Sequence, residues 1–105
     1  MKKTITVKTF YKSYTSFNTG GTDVFSSFII DGHEVKRVSQ NALDSYWTLD
    51  GSREYTREED EQLVDPCYEI VKQMKDWGRD NLKESIMPKE LIKAPEGYTI
   101  EFIIK

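Results

Sequence analysis

Cys67 is the only cysteine of this 105-residue chain and His33 its only histidine, so any thiol–imidazole chemistry rests on that one pair. A catalytic thiol needs a lowered pKa, from an imidazolium, a cation or a helix N-terminus, and it needs access to substrate. Cys67 stands in "DPCYEIV", on a stripe with Leu63, Ile70, Met74 and Trp77 at helical spacing, which turns its side chain toward a core. His33 follows the Asp31-Gly32 pair directly and reads as the residue beside a turn. The core reading of Cys67 is therefore favoured. A helix restarted at Pro66 is the one arrangement that places Cys67 in a first turn and stabilises its thiolate.

The other ingredients of chemistry are sparse. One cysteine and one histidine lack the paired spacing of a structural zinc site. The "EEDE" run at 58–61 has neither the glycine nor the alternating oxygen ligands of a calcium loop, and it suits the positive end of a helix dipole. "TGGTD" at 19–23 can turn backbone N–H groups toward an anion but lacks the Lys-Ser/Thr ending of a phosphate loop. No pair among the eighteen carboxylates stands out by an apolar setting. The expectation is no catalytic residue, no metal and no cofactor.

Aromatic residues are the more telling surplus. "FYKSYTSF" sets Tyr11 and Tyr14 near Lys8 and Lys12, while Tyr46 and Trp47 lie beside acidic residues. Aromatics interleaved with lysines can stack on single-stranded bases, and surface Tyr and Trp equally anchor protein interfaces. Charge separates the two. Residues 1–49 carry a net +2 and residues 50–105 a net −5, for −3 in total. An acidic second half opposes general nucleic-acid binding, which rests on a basic surface, and it suits a protein partner with a basic surface.

The elements that position these residues follow from periodicity. "TITVKTF" alternates as a strand, "SYTSFNTGGTD" reads as a polar connection, and "VFSSFII" and "HEVKRVS" flank Asp31-Gly32, a type I′ hairpin signal. That register sets Ile30 opposite His33 and Phe28 opposite Val35, with Val24, Phe28, Ile30 and Val35 on the core face. Phe25, Ile29 and Val38 on the other face call for partial cover. Asp50-Gly51 repeats the signal and predicts a second hairpin, Tyr46 opposite Tyr55 and Trp47 opposite Glu54; a helical turn from Ser39 through Leu43 is the competing reading.

"TREE" is a capping box from Thr56 to Glu59 and opens a helix over 57–77 that Gly78 ends. Pro66 either kinks it or starts a second, nearly collinear helix. "RDNLKESIMPKELIKAPEG" reads as a short helical turn and connector, and "YTIEFIIK" as a closing strand long enough to lie centrally in a sheet.

One α+β domain over residues 1–105 results: an antiparallel sheet of four to five strands with one main amphipathic helix on one face. No apolar run reaches the roughly 20 residues of a membrane span, "MKKTITVKTF" lacks an apolar leader core, and the lone cysteine suits a reducing compartment, so a cytoplasmic location is expected. By elimination, function falls to a binding or regulatory module, the class that includes stoichiometric inhibitors of basic host nucleases or polymerases encoded by phage and mobile elements. The runner-up is an accessory subunit of a larger complex. A single-stranded nucleic-acid binder or small enzyme comes after both, and a homodimer through a strand edge or sheet face stays open. The residues expected at the partner surface are Tyr11, Tyr14, Tyr46, Trp47, Glu58, Asp60 and Glu61.

Overall fold

The computed structural model describes residues 2–15, 21–39 and 45–104, with side-chain surroundings for 2–12, 24–37 and 46–104. The expected helical turn from Ser39 through Leu43 falls outside them after Ser39, which is strand. Five strands form one sheet: β1 (Lys3–Thr15), β2 (Gly21–Ile30), β3 (His33–Ser39), β4 (Ser45–Leu49) and β5 (Tyr98–Phe102), in the order β4-β3-β2-β1-β5. Between β4 and β5 run α1 (Arg57–Glu59), a π turn (Asp60–Val64), α2 (Asp65–Asp80) and a 3₁₀ turn (Lys89–Leu91).

The hairpin register is as expected: Ile30 faces His33 and Phe28 faces Val35, around a turn in which Asp31 and Gly32 both take positive φ. Val24, Phe28, Ile30 and Val35 are buried on the side that receives the helix, with Ile5, Val7, Phe10 and Leu49. On the other side Phe25 and Ile29 are half-buried, and Tyr11 stacks on Phe25 with ring centroids 5.1 Å apart. That cover comes from within the sheet.

Four expectations are corrected. Both ends of the polar connection at 13–23 are strand, because β1 and β2 stay paired out to Thr15 and Gly21; residues 16–20 lie outside the described residues. A bulge between Val7 and Thr9 shifts the alternation of β1, so Phe10 and Lys12 point inward with Ile5 and Val7. The sheet is mostly antiparallel but mixed, since β5 runs parallel to β1, with Ile5 beside Ile100. β5 therefore forms an edge. Periodicity identifies a strand and its core face, but it does not encode direction or neighbour. Gly78 does not end the helix, which continues to Asp80 with Asn81 as its cap; Gly78 is buried and its carbonyl accepts from Lys12 Nζ at 3.4 Å.

Pro66 is absorbed without a break. Its missing N–H leaves the carbonyl of Gln62 without its usual helical partner, and the chain answers with a π turn in which Asp65 N–H donates to Asp60 O. Tyr98 Oη donates to the same Gln62 carbonyl at 3.5 Å. The apolar stripe stays in phase across the proline: Leu63, Cys67, Ile70, Val71 and Met74 are all buried against the sheet, and Trp77 packs at its end.

Candidate surface at the β4 edge

The second hairpin opens with the expected turn and then fails to close. Asp50, Gly51 and Ser52 take positive φ, and Arg53 N–H donates to Leu49 O at 2.9 Å. After this single bridge the chain leaves β4. Tyr46 does not face Tyr55, nor Trp47 Glu54; instead Tyr55 Oη donates to Thr48 O at 2.6 Å, and Thr56 begins the helix. The capping box is complete, with Glu59 N–H donating to Thr56 Oγ1 (3.2 Å) and Thr56 N–H to Glu59 Oε1 (3.0 Å).

What the departing chain leaves is an open cleft of about 480 Å³. Its walls are Tyr46, Trp47 and Thr48 of β4 and Glu54, Tyr55 and Asp60 of the returning chain and helix start. Backbone groups face into it. Asp50 N–H donates to Glu34 O at 3.0 Å, so the alternation of an antiparallel ladder sends the N–H and C=O of Thr48 and Tyr46 toward β3 and those of Trp47 away from it.

Electrostatics at the cleft are acidic. Arg53 is committed to Glu59, at 2.6 and 3.1 Å, and these bonds together with Thr56 N–H pull the Glu59 carboxyl down to about 2. Among the described residues no ion pair involves Glu54, Glu58, Asp60 or Glu61, and all four are exposed. Asp50 is held below the usual carboxylate range by its bond to His33 Nδ1 (2.7 Å) and by Glu34 N–H. Burial raises the Tyr55 phenol well above its ordinary value, which keeps it a neutral donor.

Three of the seven residues expected at a partner surface line this cleft, Tyr46, Trp47 and Asp60; Glu58 and Glu61 are exposed neighbours of Asp60 in sequence and are not in its lining. Trp47 is half-buried and also serves the core, its ring 6.4 Å from that of Phe28. Tyr11 lies elsewhere, and Tyr14 pairs with Thr22 on β1 with its side chain outside the described residues. Glu54 and Tyr55 join the surface only because the hairpin opens. The strand pattern in "SREYT" assigns them to pairing, and the capping box that overrides it is the one signal that could have found them.

A second surface, not anticipated, lies beside β1. β5 covers β1 only to Val7, where Ile103 N–H donates to Val7 O at 3.0 Å, and Lys12 N–H is next taken, by Ser85 O at 2.6 Å. Between them lies an apolar groove of about 680 Å³ lined by Phe10, Tyr11, Ile86, Ile103 and Ile104. Ile103 breaks the alternation of the last strand, which is the trace of this groove in the sequence.

The lysines near the aromatics are both engaged. Lys8 pairs with Glu34 at 3.0 Å, and Lys12 is only 5% exposed, its Nζ donating to the carbonyls of Gly78 and Asn81 and lying 5.5 Å from the Trp77 ring. Cys67 is fully buried, and burial alone pushes its thiol up to about 12, the opposite of an activated nucleophile. Among the described residues no three His, Cys, Asp or Glu side chains are grouped to hold a metal ion, and no helix is long and apolar enough to cross a membrane. No family model matches the chain, and neither a curated protein nor a solved structure matches it.

Proposed function

We propose that this protein is a binding module for a protein with a basic surface, acting as a stoichiometric inhibitor of a partner such as a nuclease or polymerase. The observation that carries the reading is the β4 cleft, where aromatic and backbone groups lie beside Glu54 and Asp60, two exposed carboxylates that form no ion pair among the described residues. Tyr and Trp provide anchoring area, and unpaired acids provide attraction that steers a basic partner. The engagement of Lys8 and Lys12 within the fold supports a protein over a nucleic acid, since both lysines are already bonded to chain atoms.

The test is capture of partners from the source cell with immobilised protein, run beside Glu58→Gln/Asp60→Asn/Glu61→Gln, which keeps Glu59 for the cap. A basic protein held by the wild type, released as salt rises from about 50 to about 300 mM and weakened by the triple variant, is the expected result. Binding indifferent to both overturns the reading. So does submicromolar binding of labelled oligonucleotides by fluorescence anisotropy at low salt. A second reading, an accessory subunit within a larger complex, is favoured by the apolar groove beside β1, and it expects binding that survives salt and is lost on Ile86→Ser.

A further inference from the structure

The open hairpin suggests how a basic partner is held. We propose that the β4 edge is a strand-addition site: an extended segment of the partner, lysine or arginine alternating with apolar residues, inserts between β4 and the returning chain as a sixth strand. This deepens the reading above and rests on it.

Three observations converge. The first is shape: the cleft runs along β4 between Trp47 and Thr48 on one side and Glu54 and Tyr55 on the other, downstream of a turn that makes one bridge, and the Tyr55 Oη–Thr48 O bond (2.6 Å) is a side-chain contact between its walls that an added strand displaces. The second is backbone chemistry. Trp47 offers an N–H and a C=O to the open side, the pair that an incoming extended chain satisfies in strand addition. The third is charge. The carboxylates in the walls are Glu54 and Asp60, while the one wall cation, Arg53, is spent on Glu59.

Side-chain alternation then assigns the partner's residues. Successive side chains of an added strand point to opposite faces. On the helix side they meet Trp47, Tyr55 and Asp60, where a lysine or arginine stem lies along the rings and its charge reaches the carboxylate. On the other side they meet Thr48 and Tyr46, where a β-branched residue packs across the strand. A basic surface patch without an extended segment makes neither set of contacts together with the backbone bonds.

The probe is an acetylated, amidated seven-residue peptide of alternating Lys and Val carrying a fluorophore, titrated against the whole protein at low salt. Two further peptides are N-methylated, one at the amides of the lysines and one at those of the valines. The expected result is saturable binding, weakened about tenfold or more by one methylation pattern and little by the other, because only alternate amides face β4. Hydrogen exchange at the Trp47 amide slows about tenfold at saturation, and Glu54→Gln/Asp60→Asn weakens the peptide about tenfold while lowering the urea midpoint only slightly, through the loss of one carboxylate at the helix start. Equal tolerance of both methylation patterns with an unprotected Trp47 amide overturns strand addition. If the peptide fails to bind while a captured basic protein is still lost on Glu58→Gln/Asp60→Asn/Glu61→Gln, strand addition falls and the basic-partner reading stands. If neither the peptide nor any basic protein binds, both fall.

Discussion

Lys12→Met is expected to destabilise the fold by about 2 kcal/mol, although lysine is ordinarily a surface residue whose loss changes little. The substitution keeps the aliphatic stem and removes the ammonium, which donates to Gly78 O (3.4 Å) and to Asn81 O at the C-terminal end of α2 and lies 5.5 Å from the Trp77 ring. A hydrogen bond to a charged group is worth about 1.5–3 kcal/mol, a cation at a helix C-terminus about 0.3–1, and a partly desolvated cation–π contact about 1–2. The longer bond counts at the low end, giving a gross value of roughly 4–7 kcal/mol. Against this stands the loss of water around an ammionium group on a residue 5% exposed, worth several kcal/mol. The balance alone is small, but removing the donor also leaves the buried Gly78 carbonyl unsatisfied, which restores a net loss of about 2 kcal/mol. In urea this moves the midpoint down by about 1 M at unchanged slope, and Tm falls by roughly 10 °C. A Trp77→Leu cycle in both backgrounds should return a coupling of about 0.5–1 kcal/mol for the ring contact. Lys12→Met melting at or above the wild type refutes the reasoning, since it means that desolvation exceeds everything the ammonium gains.

Cys67→Ala should cost about 1 kcal/mol through a small cavity and leave partner capture intact, and native protein should label with a thiol reagent only as fast as it unfolds; rapid native labelling contradicts the burial. Thr56→Ala should lose about 1 kcal/mol with its cap, visible as a lower urea midpoint. Glu59 sets a pH dependence: its folded carboxyl titrates at about 2, below the ordinary value of 4.5, so its contribution is complete above about 4.5 and is lost as pH falls toward 2. Glu59→Gln keeps an acceptor for the Thr56 N–H but not the charge, so its urea midpoint should decline less than the wild type's across that window; parallel profiles refute the assignment.

Much of this fold is legible in local chemistry. Asp31-Gly32 fixes the register of β2 on β3, the Thr56–Glu59 box fixes the helix start, and the stripe from Leu63 to Met74 fixes its buried face. What escapes is set by tertiary competition. The bulge at Lys8 turns Lys12 inward, and nothing in a polar stretch announces that a lysine will cap a helix encoded 66 residues later. The place of β5 escapes for a related reason, because Tyr98, Ile100 and Phe102 state which face is apolar but not which neighbour they join. Of the residues expected at a partner surface, Tyr46, Trp47 and Asp60 are recognisable by type, whereas their convergence on one cleft depends on a hairpin that does not form.

That failed hairpin has a physical cause in the same few residues. "SREYT" has the alternation of a strand and follows a turn that starts one, yet Thr56 at its end is also the helix cap. Pairing Glu54 and Tyr55 to β4 requires extended chain through Thr56, while the cap requires the chain to turn into a helix immediately after it, and the two demands meet within two residues. Arg53 adds to the side of the cap: reaching Glu59 at 2.6 Å, it ties the turn to the first helical turn. A chain that turns into a helix after Thr56 makes only the Leu49–Arg53 bridge to β4, so the rest of that edge keeps its open side. The ion pair, the capping box and the cleft are therefore parts of one construction. Its acidity follows in part too, because Asp60, one of the carboxylates that suit the positive end of the helix dipole, lines the cleft with Trp47.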